Sequence, residues 1–147
     1  MFRKIVWATD GSAGADHALS YAKELARTQA AELVVVHGEE LSSARSSIGY
    51  TRRVDEEDLE AKIKRQVAEM ANSGIAVSVK VIGGHAPAAT LIAEVAEEIG
   101  ADLVVVGTRG HTPLAGLLLG SVTDRLLHIL HCPVLAVPPA AESGRAG

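Results

Sequence analysis

Four short runs of unbroken apolar residues limit what this chain can fold into. They are Ile5-Val6-Trp7-Ala8, Leu33-Val34-Val35-Val36, Leu103-Val104-Val105-Val106 and Val134-Leu135-Ala136-Val137. A strand with one wet face alternates polar and apolar residues, whereas these runs admit no polar residue and read as strands covered on both faces. Between them lie stretches with helical period. Ala15, Ala18, Leu19, Ala22, Leu25 and Ala26 mark one helix face, and Leu59, Ile63, Val67 and Met70 mark a second. Leu91, Ile92, Val95, Ala96 and Ile99 mark a third, opened by Pro87 and closed by Gly100. A fourth helix is expected from about Leu118 or Ser121 to Leu130, and a weaker strand from Ala76 to Ile82.

The order is βα four times over, closed by a fifth strand. That pattern predicts a single α/β domain over residues 1–139, a doubly wound, Rossmann-like, five-stranded parallel sheet with helices on both faces. Residues 140–147, small and polar, are expected to be a disordered tail. The segment from Glu39 to Val54 shows no clear period and holds four serines, so it is expected to be a long loop.

Composition narrows the function. Aromatic residues make up 3% of the 147 residues, too few for a base-stacking platform, and the formal net charge is −4. The arginines Arg45, Arg52 and Arg53 are diluted by Asp55, Glu56, Glu57 and Asp58, so no basic stripe suggests nucleic acid. No apolar run approaches a membrane span, the N-terminus lacks the apolar core of a signal peptide, and a lone cysteine, Cys132, allows no internal disulfide. A cytoplasmic setting is the expectation.

Doubly wound sheets bind ligands beyond the carboxyl ends of their strands, where strand order reverses. Two strand ends here differ from plain turns. Thr9-Asp10-Gly11-Ser12 follows the first strand, and Gly107-Thr108-Arg109-Gly110 follows the fourth. The second continues to Gly120-Ser121-Val122-Thr123. Glycines let backbone N–H groups approach an anion, a helix start favours phosphate, Ser121 is placed to cap that helix, and Arg109 adds a cation. Each feature alone is commonly an ordinary turn, cap or solvated charge. Together, at the end of a buried strand, they point to a phosphate site.

The spacing of Gly107, Gly110, Gly120 and Ser121 matches Gly-x2-Gly-x9-Gly-(Ser/Thr), and here the chain resembles the universal stress protein family, in its ATP-binding subgroup. The opening Ile5 to Ser12 and the segment His131-Cys132-Pro133 to Val137 are similar to the family as well. The resemblance implies a strand order of 3-2-1-4-5, which sets the first and fourth strands side by side. It implies that Ala8, Thr9 and Asp10 line adenine and ribose, and that Gly38 meets the adenine edge. Gly107, Arg109 and Gly110 would hold ribose and phosphates, and Gly120, Ser121, Val122 and Thr123 the phosphates. The implied ligand is ATP, with or without magnesium, and the implied role is regulation in stress adaptation. A slow ATPase, or a protein binding AMP or cyclic AMP in the same pocket, is the alternative. A homodimer through the Val134–Val137 edge is implied too.

Other signals carry less. A response-regulator reading of Asp10 lacks the acidic cluster and lysine that such sites use. No Gly-Lys-(Ser/Thr) is present for a P-loop. His128, His131 and Cys132 lack a second ligand pair for a metal. His37 ends a strand and reads as structural, and His111 is the histidine nearest the glycine segment.

Overall fold

A computed structural model describes residues 1–40, 49–108 and 119–140. Among these residues five strands alternate with four helices: β1 Lys4–Ala8, α1 Ala13–Gln29, β2 Glu32–Glu40, α2 Gly49–Asn72, β3 Val77–Gly84, α3 Ala88–Ile99, β4 Leu103–Gly107, α4 Ser121–Ile129 and β5 Val134–Val137. The sheet is parallel throughout, in the order β3-β2-β1-β4-β5. β1 lies between β2 and β4, with Val6 opposite Val34 on one side and Val104 on the other.

The unbroken apolar runs have the predicted cause. Successive side chains of a strand point to opposite faces, and both faces are covered. Ile5, Trp7, Leu33, Val35, Leu103 and Val105 join one core cluster with the small residues of α1 and with Ile63 and Met70 of α2. Val6, Ala8, Val34, Val36, Val104 and Val106 join the other with α3 and Leu126 of α4. The edge strand β3 is less covered: Ser78 and Lys80 stand exposed between its valines, and Val79 and Val81 themselves stay 40% and 46% exposed.

Three helices end alike. Ala30, Gly74 and Gly100 have φ of 52°, 88° and 68°, and the following N–H of Ala31, Ile75 and Ala101 reaches back to the carbonyl of Ala26, Met70 and Ala96. This is the left-handed cap that satisfies carbonyls at a helix end. At the start of α1, Ser12 is the N-cap and its Oγ accepts from Ala15 N–H at 3.2 Å.

The expected loop from Glu39 to Val54 is shorter than the sequence suggests. Glu39 and Glu40 continue β2 opposite Gly83 and Gly84, and α2 begins at Gly49. The remainder of that loop, with its four serines, lies outside the described residues, as do Arg109, Gly110, His111 and the expected tail after Ala140. Pro87 is the N-cap of α3, one place before the helix. Among the described residues, no helix is long and apolar enough to cross a membrane.

Candidate functional site

The pairing of β1 with β4 puts the two unusual strand ends side by side at the carboxyl edge of the sheet. Both leave their strands in register: Thr9 N–H donates to the Val36 carbonyl at 3.0 Å, and Thr108 N–H to the Val137 carbonyl at 2.9 Å.

The first end is a tight, self-bonded turn. The Oγ1 of buried Thr9 accepts from Gly11 N–H at 3.1 Å, and Asp10 Oδ1 accepts from Ser12 N–H at 2.9 Å. Gly11 has a φ of +80°, which an L side chain adopts at a cost. These local bonds orient the Asp10 carboxylate, as Asp residues commonly do in such turns. His37, at the neighbouring strand end, lies with Nδ1 2.9 Å from the Thr9 carbonyl. A carbonyl only accepts, so Nδ1 carries the proton. The structural reading of His37 thus acquires a partner.

The second end is gathered by two bonds across the glycine segment. Gly120 N–H donates to the Thr108 carbonyl at 2.6 Å, and Thr123 Oγ1, on a side chain that is almost wholly buried, donates to the Gly107 carbonyl at 2.7 Å. The start of α4 is thereby pinned to the end of β4. Here one expectation is corrected. The N-cap of α4 is Gly120, not Ser121; Ser121 is the first helical residue, and among the described residues no side chain caps the helix. A glycine in that place offers the first-turn amides no side-chain acceptor of its own. Asp124 in the same turn suits the helix dipole, though its charge opposes an incoming anion.

The glycines have structural duties that the sequence did not reveal. A Cβ on Gly107 would sit 3.0 Å from the backbone C and O of Gly14, so the bareness of Gly107 admits the start of α1. Gly38 lies within β2, opposite Ile82, rather than past its end. A Cβ there would meet the Ala88 carbonyl at 3.1 Å, so Gly38 admits the start of α3.

Between the start of α3 and the length of α4 lies a groove of about 610 Å³, lined among others by Pro87, Ala88, Ser121, Val122, Arg125 and His128. That volume falls within the roughly 300–1,000 Å³ of small-molecule sites. Of the expected site residues Ser121 and Val122 line this groove, whereas Ala8, Thr9, Asp10, Gly38, Gly107, Gly120 and Thr123 do not; Pro87, Ala88 and Arg125 were not expected. Nothing in the pattern marks Ala88, because only the packing of α3 against Gly38 brings that helix start to the groove. Among the described residues, no group of three or more His, Cys, Asp or Glu side chains is placed to hold a metal. Burial pushes the Cys132 thiol up, away from the thiolate a metal would need.

A profile of the universal stress protein family matches residues 1–138 of the chain. Universal stress protein MJ0531 of Methanocaldococcus jannaschii is 34% identical over 145 residues, spanning 93% of this chain and 82% of that protein. Among solved structures, MJ0577 of the same organism superposes with a TM-score of 0.82 at 27% identity, covering 97% of this chain and 99% of that one. A universal stress protein in complex with cAMP superposes with a TM-score of 0.70 at 27% identity, covering 95% and 99%.

Proposed function

The chain belongs to the universal stress protein family, and from that premise we propose that it is an adenine-nucleotide-binding regulatory protein with ATP as its ligand. The nucleotide lies across the carboxyl ends of β1 and β4. Ala8, Thr9, Asp10 and Gly38 face adenine and ribose. Gly107, Arg109 and Gly110 take ribose and phosphates, and the first turn of α4, Gly120 to Thr123, takes the phosphates. The observation that carries this reading is that first turn: its cap residue, Gly120, has no side chain to occupy its amides, and the bonds from Gly120 N–H to Thr108 and from Thr123 Oγ1 to Gly107 hold the helix start at the end of β4. The cyclic nucleotide held by a relative of the same fold supports the adenine class.

Asp10 is the one carboxylate in the assigned set, and one of its oxygens accepts from Ser12 N–H. The set does not build a protein-held magnesium site, and any such ion would ride on the phosphates. Nor does the set supply a lysine or a base for phosphoryl transfer. Ground-state contacts of this kind give affinity rather than rate, so the nucleotide is held and not efficiently consumed.

Calorimetric titration with ATP, AMP and cyclic AMP, alongside mass spectrometry of ligand carried through purification, tests the reading. ATP is expected to bind most tightly. Gly120→Val should weaken it about tenfold or more while the protein stays folded, because Gly120 has an extended backbone that any residue adopts. Ser121→Ala should weaken binding yet change stability by less than about 0.5 kcal/mol, since Ser121 is not the cap. Wild-type affinity in folded Gly120→Val protein would sink the assignment. Turnover many times per second, within the roughly 1–1,000 per second of ordinary enzymes, would make the protein an ATPase instead.

A further inference from the structure

The turn that carries Asp10 is also gripped from outside, by α2. Lys62 Nζ donates to the Gly11 carbonyl at 2.9 Å and to Asp16 Oδ2 at 2.7 Å. One turn further on, Gln66 Nε2 donates to Asp16 Oδ1 at 3.1 Å. One turn back, Leu59 covers Gly11 so closely that a Cβ there would lie 2.6 Å from Leu59 Cδ1. Leu59, Lys62 and Gln66 form one stripe along α2, and that stripe meets both the turn and the first turn of α1.

The Gly11 carbonyl and the Ser12 N–H belong to a single planar peptide unit. Lys62 holds its oxygen end and Asp10 Oδ1 holds its nitrogen end. Rotation of that peptide would break one bond or the other. A partly exposed Lys–Asp pair contributes little by itself, and the side chains of Lys62 and Asp16 are 31% and 37% exposed. The ion pair's consequence is geometric: Asp16, steadied by Gln66, aims the ammonium at the carbonyl.

The geometry points to Lys62 as a positioning residue for the nucleotide. It touches no ligand itself. By fixing the Gly11–Ser12 peptide it fixes the Asp10 carboxylate, which the nucleotide reading above, on which this inference rests, assigns to adenine and ribose. The packing of α2 thereby becomes a determinant of affinity at a site to which α2 contributes no assigned residue.

Three variants test this: Lys62→Met, Lys62→Arg and Lys64→Met. Lys64 is exposed on the same helix and removes the same charge without touching the turn. ATP dissociation constants are read by calorimetry, and exchange of the Ser12 amide in nucleotide-free protein by NMR. Lys62→Met should weaken ATP about tenfold and speed Ser12 exchange, as expected for losing a hydrogen bond from a charged donor. Lys62→Arg should recover most of both, because arginine also donates to a carbonyl and a carboxylate. Lys64→Met should leave both unchanged. Unaltered affinity in Lys62→Met, or an equal loss in Lys64→Met, overturns the inference. If the wild type binds no ATP, the nucleotide reading fails separately. Faster Ser12 exchange in Lys62→Met then still upholds the clamp, and unchanged exchange overturns it.

Discussion

Ala30 is the one non-glycine residue with positive φ among those described, and it stands where α2 and α3 have glycine. An L residue in the left-handed region carries roughly 1–2 kcal/mol of steric cost that glycine escapes. Ala30→Gly keeps the same cap bonds, so it should stabilise the protein by about 1 kcal/mol, read as a higher urea midpoint at unchanged slope. The glycines of the proposed site show the limit of reading such residues from sequence. Gly107 was legible as a special position, but its spacing suggested a ligand, whereas the backbone atoms 3.0 Å away belong to Gly14. A motif marks a place where backbone must be bare. It does not say which neighbour requires it.

At the scale of elements, strands were the most legible because burial on both faces leaves a continuous apolar run. The start of α2 was not, since Gly49-Tyr50-Thr51-Arg52-Arg53-Val54 carries no apolar stripe and arginines among serines read as loop. The grip of α2 on the β1–α1 turn was equally hidden, because Lys62 and Asp16 are ordinary surface residue types 46 positions apart. A second unannounced link joins the opposite edge of the sheet. Asp102 Oδ2, just before β4, accepts from Arg3 N–H at 2.8 Å and from Lys4 N–H at 3.0 Å. These two backbone bonds hold its carboxyl below the usual carboxylate range. A depressed folded value means that the ionised form is favoured by folding. The contribution is complete above the unfolded value of about 3.9 and is lost as pH falls through the folded value. Wild type should therefore melt above Asp102→Asn at neutral pH, and the gap between the two should close in acid below about pH 4. A gap that stays constant between pH 7 and acid would show that the charge is irrelevant.

For the molecule as a whole, the strand order leaves β5 at one edge, as the family resemblance implied. Val104 N–H donates to the Pro133 carbonyl and Thr108 N–H to the Val137 carbonyl. Residues of odd number therefore face β4, and Val134 and Ala136 turn their backbone groups outward. An edge strand with unpaired groups invites a second chain, and we propose an isologous homodimer there. Light scattering should give twice the chain mass for wild type. Ala136→Pro removes an outward donor without breaking the β4 ladder and should return the mass to that of a monomer. A monomeric wild type at micromolar concentration would refute the dimer.

Trp7 is the chain's single tryptophan. It is fully buried in β1, with Nε1 donating to the Ala15 carbonyl at 2.9 Å. Its indole stands two residues before Thr9 and is bonded to the first turn of α1, so it is anchored at both ends of the turn that presents Asp10. No other indole contributes to the emission. The protein thus comes with its own fluorophore, placed at the root of the proposed site. Its spectrum can report the filling of that site and the unfolding of the domain in one cuvette, with no dye attached and no residue changed.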